Sequence, residues 1–236
     1  MQITLKNDAI AAEPRPDLRH VEAWIFDLDN TLYPAHADLF AQIDARMSLF
    51  IQDHFSVNAD EAWRIQKAYY RDHGTTLNGL MRVNNVDPES FLSFVHDIDL
   101  SVLTPDASLA AAIERLPGKR IVFTNGCSGH AERVLERLEL TAHFHDVWDI
   151  RRIGYRPKPD PESYRAVLAG IVPARAAMFE DVARNLVPAH ELGMTTVWLK
   201  NGSEWSKQGP EFPRAEPQHI HYEIENLAEF LHSIRI

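Results

Sequence analysis

An apolar strand that runs straight into acid is the strongest constraint in this chain. In AWIFDLDNTLY, Ala23 to Tyr33, four apolar residues lead into Asp27 and Asp29, one residue apart. A short unbroken apolar run reads as a strand buried on both faces, as in a parallel sheet covered by helices. The figure recurs: RIVFTNG (Arg120 to Gly126) ends in Thr124, Asn125 and Gly126, and AMFED (Ala177 to Asp181) ends in Glu180 and Asp181. HDVWDI (His145 to Ile150), TTVWLK (Thr195 to Lys200) and IHYEI (Ile220 to Ile224) read as further strands. Helical patterns separate them. One runs from Ser108 to Leu116, one carries Ala131, Val134, Leu135 and Leu138, and one opens at Asp160-Pro161-Glu162. A short helix closes the chain. This alternation predicts an α/β fold with a parallel sheet covered on both faces.

One region breaks the alternation. From Ala37 to about Leu103 helix follows helix, with Leu39, Ile43, Met47, Phe50 and Ile51 at helical spacing. Asp87-Pro88-Glu89 reads there as an N-cap, a first-turn proline and an acidic first turn. The expected division is a polar leader over 1–20, a core over 21–34 and 105–236, and a helical insertion over 35–104. Asn201 to Gln218 is Pro/Gly-rich and reads as a surface loop. The 236 residues are 45% hydrophobic, enough for a sizeable core. A formal charge of −10 argues against a nucleic-acid surface. Cys127 is the one cysteine, so no internal disulfide forms. No stretch approaches the ~18 uninterrupted apolar residues of a membrane span. Met1 to His20 lacks the basic-then-apolar order of a signal peptide. The expectation is a cytoplasmic protein without a membrane partner; monomer and homodimer both stay open.

In an open parallel sheet, ligands bind outside the carboxyl ends of the strands. If these strands are neighbours, Asp27, Asp29, Glu180 and Asp181 meet in one crevice, with Lys158 of YRPKPDPES as the cation. Two like charges ~4 Å apart repel by about 4 kcal/mol at an effective dielectric of ~20. Either some of these acids hold protons or a cation is present. Oxygen ligands with no His or Cys nearby favour Mg2+ over zinc or copper, and on few carboxylates Mg2+ takes up phosphate oxygens. Thr124, Asn125 and Gly126 suit a phosphoryl group, with a hydroxyl, backbone N–H groups and room for close approach. Each signal alone has a plainer reading as a cap or a turn; four in order, each after the right kind of element, reverse that ranking. The 12 histidines form no metal-ligand spacing. His143 and His145 read as surface or structural, Cys127 as a packing residue, and Trp148 and Trp198 as core.

FDLDNTLY resembles the DxDx[TV] first motif of the haloacid dehalogenase (HAD) superfamily, VFTNG its second, KPDPESY its third and MFEDVARNL its fourth. The resemblance runs from Trp24 over nearly the whole chain. It implies a Rossmann-like core with a mobile cap. The long interval from Asp27 to Thr124 places that cap in the four-helix (C1) class inserted after the first motif. It also implies roles. Asp27 attacks phosphorus and forms an aspartyl-phosphate; Asp29 acts as general acid, then base. Mg2+ is held by Asp27, the backbone carbonyl of Asp29, and Asp181, with Glu180 through water. Thr124, Asn125 and Lys158 stabilise the phosphoryl group. Asn185 orients the acids of the fourth motif. Asp29 favours a phosphatase over a dehalogenase, which lacks that acid; a mutase stays open.

FDLDNTLYP, YRDHGTTLNGL (Tyr70 to Leu80) and FVHDIDL together resemble the pyrimidine 5′-nucleotidase branch, which hydrolyses UMP- and CMP-type monophosphates. Tyr70, His73, Thr75, Thr76 and Asn78 are then candidate base- or sugar-reading residues on a polar break between cap helices. A phosphosugar, phosphoglycolate-type or broad-specificity phosphatase is the alternative, and a non-catalytic HAD-like binding protein the alternative of another class.

Overall fold

The computed structural model describes residues 15–200 and 218–236. Most of the expected leader and nearly all of the expected loop from Asn201 lie outside the described residues. Among the described residues, six strands form one parallel sheet: β1 (Ala23–Phe26), β2 (Lys119–Phe123), β3 (Asp146–Trp148), β4 (Ala176–Glu180), β5 (Thr195–Leu199) and β6 (Tyr222–Ile224), in the spatial order β3-β2-β1-β4-β5-β6. The chain departs from β1 to both sides, so the strand order reverses there. That is the switch point where an α/β sheet leaves a crevice at its carboxyl edge.

Four helices lie between β1 and the rest of the sheet: α1 (Leu39–Phe55), α2 (Ala59–His73), α3 (Thr76–Asn84) and α4 (Pro88–Val95). Then come α5 (Ala107–Glu114), α6 (Ser128–Arg137), α7 (Pro161–Val167), α8 (Val187–Glu191) and α9 (Leu227–Ser233). Their starts follow from capping chemistry. Asn58, Thr75, Asp87 and Asp160 each accept a backbone N–H of the first turn, and Pro88 and Pro161 stand where no N–H is needed. The polar break before α3 is narrower than the sequence implied: Thr75 caps a helix that already contains Thr76 and Asn78. No described helix is long and apolar enough to cross a membrane.

The two-residue period of the strands sorts the core into two faces. Trp24, Phe26, Val122, Ala177 and Phe179 pack with α5, α6 and α9. The Phe26 and Phe179 rings stack at 4.6 Å. Ala23, Ile25, Ile121, Phe123 and Met178 face the other way, toward Tyr164, Leu186 and Ala189. That second cluster continues into Ile43, Leu80, Phe91 and Leu92 of α1, α3 and α4. The helical segment is therefore packed onto the rest of the chain through a shared apolar cluster.

Candidate active site

Strand register brings the acids together. Phe26 pairs with Phe179, and the Asp27 N–H donates to the Phe179 carbonyl at 2.9 Å, so Asp27 leaves β1 beside Glu180 at the end of β4. Asp181 follows directly. Carboxylate oxygens of Asp27, Glu180 and Asp181 all lie within 4.8 Å of one another, and all three residues are buried. Lys158, 1% exposed, reaches in from the loop before α7. Its Nζ donates to Asp27 Oδ1 at 2.5 Å and to Glu180 Oε2 at 2.7 Å. The loop is clasped by Asn125, whose Oδ1 accepts the Lys158 N–H at 2.8 Å and whose amide donates to the Lys158 carbonyl at 3.3 Å. Asn125 thus places the ammonium as well as lying in the crevice. Thr124 is buried at the end of β2, its Oγ1 accepting the Gly126 N–H at 2.9 Å. Trp198 Nε1 donates to the Asp181 carbonyl at 2.8 Å and fixes the backbone there. Asn185 is buried, and its Oδ1 finds no partner among the described residues.

The electrostatics follow from burial. Loss of water raises Asp27 to about 7, and Glu180 adds to the rise while Lys158 opposes it. Burial and then Glu180 push Asp181 well above the usual carboxylate range. Burial alone would lower Lys158; Asp27 and Glu180 overcome it and hold the ammonium charged. If Asp27, Glu180 and Asp181 all ionise, they outnumber the Lys158 ammonium set among them, and burial makes that surplus charge costly. An all-oxygen set with surplus charge fits a divalent cation.

Asp29 has a different setting. Burial would raise it, but the His130 imidazole and hydrogen bonds from His130 and Tyr33 reverse that and hold it below its usual range. His130 Nε2 lies 2.9 Å and Tyr33 Oη 2.7 Å from Asp29 Oδ1. His130 stacks on His96, their centroids 4.4 Å apart, and His96 Nδ1 meets Cys127 Sγ at 3.2 Å. This corrects the view that no His or Cys stands near the acids. The contacts join segments far apart in the chain, which motif spacing does not reveal. The signal available was position alone, with His130 just beyond the Thr124–Gly126 turn.

A cavity of about 140 Å³ opens above the acids. Tyr70, Thr75 and Thr76 line it, beside apolar Phe40, Ile43, Met47 and Phe91. Asn78 and His73 are not among its lining residues; Asn78 donates its amide to the His73 carbonyl at 2.7 Å. Arg184 also lines the cavity, its guanidinium 4.3 Å from the Tyr70 ring centroid and its Nη2 donating to the Gly74 carbonyl at 3.0 Å. Sequence reasoning passed over Arg184, which has no motif role.

Residues 21–193 match the family of haloacid dehalogenase-like hydrolases. The chain belongs to that family. Among its relatives, the glyceraldehyde 3-phosphate phosphatase of Methanopyrus kandleri is 25% identical over 232 residues, 91% of this chain and 97% of the archaeal protein. Phosphate metabolism protein 8 of Saccharomyces cerevisiae is 28% identical over 205 residues, 77% of this chain; the match spans 62% of the yeast protein. Solved members share the HAD fold. A magnesium-bound HAD-hydrolase from Bacillus subtilis superposes with a TM-score of 0.58 at 17% identity, over 92% of this chain and 99% of its own. The L-2-haloacid dehalogenase from Xanthobacter autotrophicus gives 0.56 at 17% identity, over 90% and 97%.

Proposed function

We propose that this HAD-like hydrolase is a Mg2+-dependent phosphomonoesterase working through an aspartyl-phosphate on Asp27. The observation that carries the reading is Asp27 itself: a buried carboxylate held on one oxygen by Lys158, next to Glu180 and Asp181, with Asp29 retained. Asp27, the Asp29 backbone carbonyl, Asp181 and Glu180 would hold Mg2+, which supplies positive charge against the phosphoryl oxygens. Asp27 attacks phosphorus, and Lys158 and Thr124 stabilise the charge on the transferring group. Asp29 gives a proton to the departing alkoxide and then takes one from water. Held as a carboxylate in the free site, it is ready as a base, and its acid role requires a proton delivered beforehand.

The substrate we infer is a pyrimidine nucleoside 5′-monophosphate. A flat base suits apolar walls of Phe40, Met47 and Phe91, where sugar hydroxyls would lose their hydrogen bonds. Tyr70, Thr75 and Thr76 offer a ring and hydroxyls at the same cavity. The name of the archaeal relative, which covers 91% of this chain, favours a second reading, a triose-phosphate-sized substrate. A panel of monophosphates with Mg2+ decides between them. UMP and CMP are expected to release phosphate fastest, and Asp27→Asn to lower that rate by roughly 10^4-fold or more. Equal rates on sugar and nucleotide phosphates would end the pyrimidine assignment. No release from any monoester would end the esterase reading.

A further inference from the structure

The two carboxylate oxygens of Asp29 are not equivalent. Tyr33 and His130 both donate to Oδ1, and no hydrogen bond to Oδ2 forms among the described residues. His130 is fully buried, and its Nδ1 has no partner among the described residues, so the one hydrogen bond its ring makes among them goes to Asp29. A leucine or phenylalanine would fill that space without burying a polar ring, so the imidazole is explained by the bond it makes.

The ring is also braced. It lies parallel to His96, with 10° between the planes. His96 caps the end of α4, and its carbonyl accepts from Arg133 of α6. Gly126 leaves the room this stack needs: a Cβ there would come within 3.3 Å of His130 Cδ2 and 3.6 Å of His96 Nε2. The imidazole thus cannot swing away from Asp29 without disturbing the junction of α4 and α6.

We propose that His130 is a positioning residue: by holding Oδ1 of Asp29 it leaves Oδ2 as the oxygen that exchanges protons in the reaction. The inference rests on the phosphomonoesterase reading. In the first half, a bond forms from Asp27 to phosphorus, the bond from phosphorus to the leaving oxygen breaks, and the proton on Oδ2 passes to that oxygen. In the second, water gives a proton to Oδ2 as its oxygen takes the phosphorus and frees Asp27. His130 keeps its own proton throughout.

Leaving-group dependence tests this. An alkoxide needs the proton from Asp29, whereas 4-nitrophenolate departs without it, and kcat/KM reports the step in which the leaving group goes. With Mg2+ present, His130→Phe should lower kcat/KM for UMP by about 100-fold, the scale of positioned acid catalysis. The loss on 4-nitrophenyl phosphate should be at least ~10 times smaller. His130→Gln, whose amide reaches the Nε2 position, should regain most of the UMP rate. Tyr33→Phe should show a smaller loss of the same sign, and it carries the test if circular dichroism shows His130→Phe unfolded. Equal losses on the two substrates, no loss on either, or Gln no better than Phe would overturn the inference alone. A wild-type protein that hydrolyses neither substrate overturns the phosphomonoesterase reading, and the inference falls with it.

Discussion

The floor of the cavity and its walls are made differently. Asp27, Thr124, Glu180 and Asp181 sit at or just beyond the ends of β1, β2 and β4, so sheet register alone sets their spacing. Phe40, Ile43, Met47 and Phe91 sit on α1 and α4, where the rotation of each helix against its neighbours decides which side chain faces the cavity. The floor concentrates buried charge held by a few short bonds. The walls are apolar surface that can repack. Floor substitutions should therefore be costly and specific, and wall substitutions mild and graded.

The sharpest contrast is between Lys158→Met and Ile43→Val. Lys158 is the buried partner of both Asp27 and Glu180. Removing it leaves carboxylates without their counter-charge, a loss on the order of 3–5 kcal/mol in metal-free buffer. Ile43→Val deletes one methylene from a packed wall and should cost about 1 kcal/mol. Denaturant melts of both variants in EDTA measure the difference, and equal losses would erase the distinction between floor and walls.

That distinction also explains what was legible beforehand. The strand-end acids, Thr124 and Lys158 could be found because each follows an apolar run or a Pro-flanked loop, and a parallel sheet must bring such ends together. Caps at Asp87 and Asp160 were equally plain. His130, His96 and Arg184 were not. Their contacts, to Asp29, to each other and to Tyr70, join α2, α4, α6 and the turn after β4, and depend on packing that helical periodicity does not encode. In the break after α2, composition marked Tyr70, His73, Thr75, Thr76 and Asn78 alike. The fold spends Thr75 on a cap and Asn78 on a carbonyl.

Charge on the floor gives a pH signature that the walls lack. Asp27 rises from a usual value of 3.8 to about 7. Between those values the folded protein holds a proton on Asp27 that the unfolded chain has lost, so the contribution of Asp27 to the stability of the metal-free protein falls as pH rises from about 4 to 7. A divalent cation offsets the same buried charge. The rise in Tm on adding Mg2+ should therefore grow with pH across this window and shrink markedly in Asp27→Asn. A gain that is flat with pH in the wild type would detach the acid cluster from the metal.

Arg184 tests whether the walls read substrate. It stacks on Tyr70 and holds the Gly74 carbonyl, so Arg184→Ala loosens the segment that carries Thr75 and Thr76. KM for UMP should rise about 10-fold, with a smaller change for a small, base-free monophosphate such as phosphoglycolate. Identical changes in KM for the two would limit Arg184 to holding the fold.

The smallest effect belongs to the tie between α4 and the turn after β3. Arg151 Nε and Nη2 donate to the two oxygens of Glu89 at 2.8 and 2.6 Å, and Tyr155 Oη donates at 2.5 Å. Those hydrogen bonds from Arg151, then Tyr155, hold Glu89 at about 2. The Glu89 and Arg151 side chains are 49% and 37% exposed, so solvent and salt screen the pair. Glu89→Gln should cost at most about 1 kcal/mol, read as a small shift in denaturant midpoint that disappears in high salt. If α4 must shift for substrate to enter, the same variant should raise kcat/KM slightly under low salt, where the wild-type tie is strongest, and leave it unchanged at high salt. A stability loss several times larger, insensitive to salt, would instead make this contact part of the apolar packing that joins the helices to the sheet.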